Sequence, residues 1–309
     1  MAYTAIDNPE LYFQAKLYTG TGTSTAFTLD GDEDMQPDLV WIKARDDAES
    51  HKLYDAVRGT TKHIESDTSD VETTEAGGLT AFGSDGFTVG DYGSINNTDG
   101  LYVAWCWKAN GSGSANTDGS INTTATSANT TAGFSINQWD GSDADGTLGH
   151  GLNVAPRCIL IKNQDATEQW YVYHESMGNG NRMVLNDTSA PSSAADWWQD
   201  TSPTTSVIYL SGVDGINGNN DMINYCWHEV QGYSKFSKHS GNGNADGAFV
   251  YTGFKPAMII CKRYDSTGSW TIHDNKRNAY GGLGATLYPH LTNDEDSGEA
   301  RSMDFLSNG

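Results

Sequence analysis

A strand-like segment that occurs three times constrains this sequence most strongly. Residues 37–43 (PDLVWIK) return as residues 156–162 (PRCILIK) and as residues 256–262 (PAMIICK), at intervals of 119 and 100 residues. Self-similarity at such a period is typical of a chain built from repeated structural units. Further landmarks recur at closely similar spacings: residues 51–59 with 170–178, and residues 103–107 with 223–227.

The repeats predict a division of the chain into three units. We expect repeat 1 at residues 1–109, repeat 2 at residues 132–231 and repeat 3 at residues 232–309. Residues 110–131, rich in Asn, Gly, Ser and Thr, are expected to be a flexible linker. Repeat 3 lacks a counterpart of the closing Trp-Cys-Trp strand. Two explanations remain open: the natural chain continues, or a partner supplies the missing strands.

The local pattern predicts an all-β fold. The Lys-terminated runs are short, apolar and rich in β-branched residues, as buried strands are. In residues 101–108, alternation puts Val103, Trp105 and Trp107 on one face, which indicates a strand against a core. Asp-Gly turns are frequent, and residues 192–200 are the best helix candidate, of one short turn at most. We therefore expect tandem antiparallel β-sandwiches of the jelly-roll type.

Charge and hydropathy exclude several classes of protein. The formal net charge of −22 opposes binding to nucleic acid and direct binding to anionic membranes. No apolar run is long enough for a membrane span, and the N-terminus has no basic region followed by an apolar stretch. We expect neither membrane insertion nor a signal peptide. The four cysteines form no Cys-x-x-Cys pair and are expected to be buried free thiols, with a disulfide as the alternative.

Motifs for catalysis are missing from the sequence. It contains no Gly-x-Ser-x-Gly elbow, no His-Glu-x-x-His and no P-loop. The pairing of aromatic residues and carboxylates that would suit glycoside hydrolysis is not visible either. We therefore predict a binding or display protein and not an enzyme, and we expect no cofactor.

Two acidic clusters are candidate cation sites. The oxygen ligands that Ca²⁺ prefers occur in both, although neither has the spacing of an EF-hand. A calcium ion and a plain acidic turn remain alternatives at each place. The clusters are Asp30, Asp32 and Asp34, and then Asp140, Asp143 and Asp145.

The pair Trp197 and Trp198, beside Asp196, is the candidate ligand site. Aromatic faces flanked by carboxylates suit recognition of a sugar ring. The alternative is that both rings cap the edge of a sandwich. Trp170 and Trp270, which occupy equivalent repeat positions, are expected in the core.

The unit as a whole resembles a repeated domain of tail-fibre and other virion proteins of marine tailed phages. The resemblance rests on Tyr-Thr-Gly at residues 18–20, the repeated Lys-terminated strand, Gly-Phe-Thr-Val at residues 86–89, and residues 226–236 and 246–254. It covers residues 13–309. It implies a concanavalin A-like jelly roll, a superfamily that includes lectins and glucanases. The acidic signature of the glucanases is not visible here, so the resemblance does not imply their activity.

From these features we expect a bacteriophage virion protein, made in the host cytoplasm and carried on the particle surface. A tail fibre or tail-associated adhesin that binds a host-surface glycan is the first expectation. A capsid decoration or head-fibre protein without a glycan ligand is the alternative, and a glycan-degrading enzyme is a further one. Its expected partners are other virion proteins and, by analogy with phage fibres, further copies of itself in a trimer.

Overall fold

The chain folds from short β-strands joined by turns. The computed structural model describes residues 4–244, 246–277, 285–296 and 303–309. All pairings between its named strands are antiparallel, and its helices in these residues are single turns of three or four residues. The predicted all-β, antiparallel sandwich class is confirmed, and the turn expected within residues 192–200 is a 3₁₀ turn at Ala195–Trp198.

Repeat 1 contains a six-stranded sheet faced by a three-stranded one. The strand that closes the repeat, β9, lies between the first and third strands, and the order is β1-β9-β3-β4-β5-β6. The smaller sheet has the order β2-β8-β7. The strands are β1 (Phe13–Thr19), β2 (Thr25–Phe27), β3 (Leu39–Ala44), β4 (Lys52–Asp55), β5 (Lys62–Glu65), β6 (Thr73–Thr74), β7 (Leu79–Gly83), β8 (Gly86–Val89) and β9 (Leu101–Trp107), with helix α1 at Gly93–Asn96.

Repeat 2 contains a seven-stranded sheet faced by a two-stranded one. The orders are β10-β11-β18-β13-β14-β15-β16 and β12-β17. From β11 onwards, the larger sheet has the same order as its counterpart in repeat 1. The strands are β10 (Ala125–Asn129), β11 (Phe134–Asp140), β12 (Gly146–Gly149), β13 (Cys158–Asn163), β14 (Tyr171–His174), β15 (Asn181–Val184), β16 (Ser192–Ser193), β17 (Val207–Leu210) and β18 (Asp221–Trp227), with helix α2 at Asp214–Asn217.

The segment expected to be a flexible linker is ordered into the sheet of repeat 2. Within residues 110–131, strand β10 pairs with β11 along its whole length, and Thr123, Thr126 and Ser127 are buried. Ser127 accepts a hydrogen bond from the Asn110 amide at 2.7 Å. The composition that is typical of a linker therefore also fits an edge strand, here with the sequence Ala-Thr-Ser-Ala-Asn.

Repeat 3 has two named strands within the described residues. They are β19 (Met258–Lys262) and β20 (Trp270–Asp274), which pair with each other. Their register repeats that of β3 with β4 and of β13 with β14. A backbone bridge between Ile272 and Leu287 extends this pair by one short stretch of chain.

Three clusters of buried side chains form the core, and one of them joins all three repeats. One cluster lies within repeat 1, between its two sheets, and a second lies within repeat 2. The third, which we call the shared interior, is filled from repeats 1, 2 and 3 together. The expectation of tandem sandwiches, with a flexible linker between repeats 1 and 2, therefore misses the main packing contact. Its large members include Trp41, Trp105, Phe134, Trp170, Tyr225 and Trp270.

Three hydrogen bonds close the repeats around the shared interior. Each repeat has an aromatic side chain with a ring N–H at the start of its β4, β14 or β20 strand. This N–H donates to a backbone carbonyl of another repeat. The Trp41 indole donates to Nδ1 of His51 at 2.9 Å, so His51 carries its proton on Nε2 and can donate in turn. The bonds are His51 to Tyr288 O at 3.0 Å, Trp170 to Glu65 O at 2.7 Å and Trp270 to Val184 O at 2.9 Å.

These bonds run in one direction around the molecule. Repeat 1 donates to repeat 3, repeat 3 to repeat 2, and repeat 2 to repeat 1. The predicted core positions of Trp170 and Trp270 are confirmed, since their side chains are almost fully buried. The repeats thus form a closed arrangement about a common interior within a single chain.

The lysine that ends each repeated strand holds the loop that follows it. Lys43 donates to the carbonyls of Ala44 and Asp47, and Lys162 donates to those of Asn163 and Ala166. Lys43 and Lys162 are fully buried, and burial lowers the pKa of both side chains to about 8. A flexible cation with three donors suits this task, because loop carbonyls need partners once they leave the sheet.

Two further sequence features have plain structural counterparts. All four cysteines are free thiols, with Cys106 and Cys226 buried and Cys158 and Cys261 half-buried. Among the residues that the structure describes, no helix has the length and apolar character that a membrane crossing requires.

Candidate functional site

A loop of repeat 2 presents two of the predicted acidic residues. This loop joins β11 to β12, and it turns sharply at Asp143, whose φ is 51°. One Asp143 oxygen accepts from the Asn219 amide at 2.8 Å, and one Asp145 oxygen accepts from the Gly212 amide at 3.1 Å. Each of these hydrogen bonds uses one oxygen of its carboxylate and fixes the direction of the side chain.

A buried asparagine supports this loop from below. Asn217 lies in α2, and its amide group donates to the Ala144 carbonyl at 2.7 Å. Its side-chain oxygen accepts from the Trp139 indole at 2.9 Å. Asn96 is buried at the matching place in α1 of repeat 1, so this support is a repeated feature of the fold. The acidic loop is therefore held by the core.

The second segment of the site is the 3₁₀ turn at Ala195–Trp198 with the two residues after it. Gln199 and Asp200 both have positive φ values, of 50° and 46°. The Gln199 amide donates to the carbonyls of Gly146 and Leu210 at 2.9 and 2.6 Å. Because those two residues are paired across β12 and β17, Gln199 ties the turn to the edge of the smaller sheet.

These segments form one open depression, which we call the acidic groove. Its volume is about 510 Å³. It brings together residues that sequence reasoning assigned to two unrelated predictions, a cation site and a sugar site. It is lined by Asp143, Asp145, Asp196, Gln199, Asp200, Ser211, Gly212 and Val213.

The two tryptophans differ in what they offer a ligand. Trp198 is buried in the core of repeat 2, and its indole donates to the Asn181 carbonyl at 3.0 Å. The prediction that it stacks on a sugar is therefore wrong, because its faces already pack against protein. Trp197 is half-buried beside the acidic groove, with the Arg182 guanidinium 3.6 Å from its ring centre and Tyr171 at 4.5 Å.

The other acidic candidates lie outside the acidic groove. Asp30 forms an ion pair with Lys16, and the Asp32 amide donates to a Glu10 carboxylate. Asp34 is exposed in the same loop, and Asp140 ends β11 beside Asp221, with which it pairs in register. In the part of the chain that the structure describes, no three His, Cys, Asp or Glu side chains are arranged to hold a metal ion.

Sequence reasoning missed Gln199 and residues 211–213. Gln199 follows the Trp-Trp pair directly, but its role depends on a positive φ that no residue pattern announces. Residues 211–213 enter the site because β17 pairs with β12, a contact between strands more than fifty residues apart in the sequence. The sequence shows that the two aspartates of the loop and Asp196 are acidic residues near turns. It does not show that the three residues lie close together in the fold.

The acidic groove can accept hydrogen bonds from a polar ligand. Four carboxylates and an amide surround it, and at least one oxygen of both Asp143 and Asp145 is held by backbone. Oxygens not used in this way suit hydroxyl or ammonium donors, because an ionised carboxylate only accepts. The high negative charge would repel phosphorylated or carboxylated ligands, so a neutral or basic ligand fits best.

Comparison with known proteins places the chain in one family. A family model described as a domain of unknown function (DUF7483) matches residues 8–309, and the chain belongs to that family. No curated protein and no solved structure matches the chain.

Proposed function

We propose that this member of the family is a non-enzymatic component of a bacteriophage particle, a tail fibre or tail-associated adhesin on the particle surface. In this proposal, it displays the acidic groove to a neutral, hydroxyl-rich glycan of the host surface. The observation that supports it most is the meeting of four carboxylates and Gln199 on a loop and turn that the core of repeat 2 holds in place. Rigid polar groups around an open depression suit recognition of a sugar without chemical change.

The shared interior supports a display role. A single chain that encloses one interior with three repeats presents its surface loops on a rigid block. Weak sites on a rigid support gain avidity when several copies face the same surface. A trimer, proposed by analogy, would bring three such blocks together through their outer surfaces.

One observation favours a second candidate, a capsid decoration or head-fibre protein without a glycan ligand. Arg182 lies against Trp197, so this half-buried aromatic ring beside the acidic groove already has a cation on it. A sugar would have to stack on the remaining surface of that ring or bind through hydrogen bonds alone. The two candidates therefore differ in whether the acidic groove binds anything.

A glycan-binding experiment distinguishes the adhesin from the decoration protein. The wild-type chain and an Asp143→Asn, Asp196→Asn double variant would be applied to an array of neutral bacterial glycans. An Asp32→Asn, Asp34→Asn double variant is the matched control, since it makes the same charge change on an exposed loop of repeat 1. Binding that the first variant loses and the control keeps supports the adhesin. Equal binding by all three chains, or none, contradicts a role for the acidic groove.

The location on the particle is tested separately. Electron microscopy of the intact particle, with an antibody against this chain, would show label at the tail for an adhesin. Label spread over the capsid lattice would contradict the adhesin and support decoration. A chain absent from purified particles would contradict both.

A further inference from the structure

Within the described residues, strand β19 has one neighbouring strand where its counterparts have two. In repeat 1, β3 pairs with β4 on one side and with β9 on the other. In repeat 2, β13 pairs with β14 and with β18 in the same way. Among the described residues, β19 pairs with β20 alone. Its second edge carries the backbone donors and acceptors that bind a strand in the other two repeats.

The side chains of β19 are exposed where their counterparts are buried. Ile260 is 41% exposed, whereas Trp41 and Leu160, at the matching register positions, are 1% and 6% exposed. The whole of β3 is buried, and β19 has no fully buried residue. In β19, Ile260 is exposed and the other four residues are half-buried, which matches a sheet from which a covering strand has been left out.

The part of repeat 3 that matches β1 and β11 in sequence is also irregular. Strands β1 and β11 each pair with the closing strand of their repeat, β9 or β18. The matching part of repeat 3, residues 234–240, forms no strand. A single inserted strand would have β19 on one side and residues 234–240 on the other, which explains both irregularities at once.

We propose that repeat 3 is a strand acceptor, and that a separate polypeptide inserts an extended segment antiparallel to β19. This proposal is independent of glycan binding. A second copy of the chain is a poor donor, because β9 and β18 are each already paired on both sides. The donor that we propose is a different polypeptide with a strand of the same kind as β9 and β18.

The other repeats define the chemistry of the donor strand. The closing strands β9 and β18 place a tryptophan opposite Leu39 and Cys158. They place a cysteine opposite Val40 and Ile159. At the third position, opposite Trp41 and Leu160, they place a tryptophan and a tyrosine. The equivalent places in repeat 3 are Met258, Ile259 and Ile260. The donor should thus alternate, with aromatic residues opposite Met258 and Ile260 and a small apolar residue between them.

The neighbour of this site sets a further preference. Tyr225 of repeat 2 donates to Asp55 of repeat 1, and Trp105 of repeat 1 donates to Asp274 of repeat 3. The matching position of repeat 2, which would face the donor strand, is His174. Asp55 and Asp274 are each followed, three residues later, by an arginine (Arg58 and Arg277). His174 is followed at that spacing by Met177. The aromatic residue of the donor therefore meets no carboxylate and needs no hydrogen-bond donor.

A synthetic peptide tests the proposal on the full chain. The probe is the β18 sequence, Asp221–Trp227, with Cys226→Ala to prevent disulfide formation. It should bind saturably, and hydrogen–deuterium exchange should show new protection at Met258–Lys262 and residues 234–240. Ile260→Lys should weaken binding by at least about tenfold, because insertion would bury the new charge. Val71→Lys is the matched control, since Val71 is an equally exposed apolar residue of repeat 1.

Several results would overturn the proposal. They are saturable binding of a scrambled peptide with equal affinity, no binding of the probe, and protection confined to other strands. Dimerisation that protects Met258–Lys262 without any peptide would show that a second copy is the occupant. Because Ile260 is exposed before binding, Ile260→Lys should keep the thermal stability of the wild type, which separates lost binding from lost folding.

Discussion

The phenol of Tyr225 donates a 2.7 Å hydrogen bond to the carboxylate of Asp55, although the two residues belong to different repeats and both are buried. The same carboxylate receives the Arg58 guanidinium. Burial raises the pKa of Tyr225 well above its usual value, so the phenol remains protonated and able to donate. Repeats 1 and 2 are therefore joined by a buried polar contact beside the apolar side chains of the shared interior.

Replacement of this donor should destabilise the whole chain. Tyr225→Phe keeps the ring but leaves Asp55 with one fewer partner, which should lower the free energy of unfolding by about 1–3 kcal/mol. Denaturant titration followed by tryptophan fluorescence measures the loss. Tyr209→Phe, on the half-buried strand β17, is the control and should change stability by less than about 0.5 kcal/mol. Equal losses in the two variants would contradict a specific role for the contact.

Removal of the arginine beside Asp55 should cost more. Arg58 and Asp55 are both fully buried, and Arg58→Leu would leave a buried carboxylate without its countercharge. A loss of about 3–5 kcal/mol is expected, measured by the same titration. The control is Arg263→Leu, since the Arg263–Asp265 pair is exposed to solvent and should contribute nothing measurable. Equal stability of the Arg58→Leu and Arg263→Leu variants would contradict the expected contribution of the buried pair.

Acid should destabilise the chain through its buried histidines, of which His150 is the clearest. Its Nδ1 accepts from the Leu152 amide, and its Nε2 faces the Thr204 carbonyl, which requires the neutral ring. Burial lowers the pKa of His150 from 6.5 to about 4, so the unfolded chain binds the extra proton first. The stability that the neutral ring provides is complete above about pH 6.5, and it is lost as the pH falls towards 4.

The measurement is the free energy of unfolding at several pH values between 7 and 4. The wild type should lose about 1–3 kcal/mol more than His150→Gln over this window, because glutamine cannot take up a proton there. His239→Gln, at an exposed position, should follow the wild type. Parallel pH profiles for the wild type and His150→Gln would refute the assignment.

The thiols should divide into two classes of reactivity. Burial raises the pKa of all four thiols, and the thiolate is the form that reacts with N-ethylmaleimide, so the difference between them is one of access. At pH 8, the buried Cys106 and Cys226 should not be labelled in the folded chain, whereas the half-buried Cys158 and Cys261 should be labelled slowly. All four cysteines should be labelled in denaturant. Mass spectrometry of the labelled peptides identifies each site. Rapid labelling of Cys106 in the folded state would mean that the core of repeat 1 opens readily.

The sequence predicted those features that depend on neighbours along one strand. Alternation on β9 put Val103 and Trp105 towards a core, and both lie in the shared interior. The burial of Trp170 and Trp270 followed from their place in the repeat. Such predictions succeed because a strand alternates its side chains between two faces wherever it lies in the fold.

The remaining features depend on contacts that the local pattern does not encode. Trp198 has the same composition around it as Trp197, yet only the packing of the 3₁₀ turn decides which ring is buried. The acidic groove exists because the pairing of β12 with β17 brings Asp145 and Gly212 together. The shared interior depends on how whole sheets meet, and a period of about 100 residues does not specify that.

The bond between His51 and Tyr288 has a consequence for synthesis of the chain on the ribosome. Its partners are 237 residues apart, so this contact of repeat 1 cannot form until Tyr288 has left the ribosome. Contacts of such long range slow folding and leave apolar surface exposed in the interval. The face of repeat 1 that carries Trp41 and Trp105 therefore lacks this cover while residues 52–288 are synthesised, and this is when chaperones would have the greatest effect on the yield of the protein.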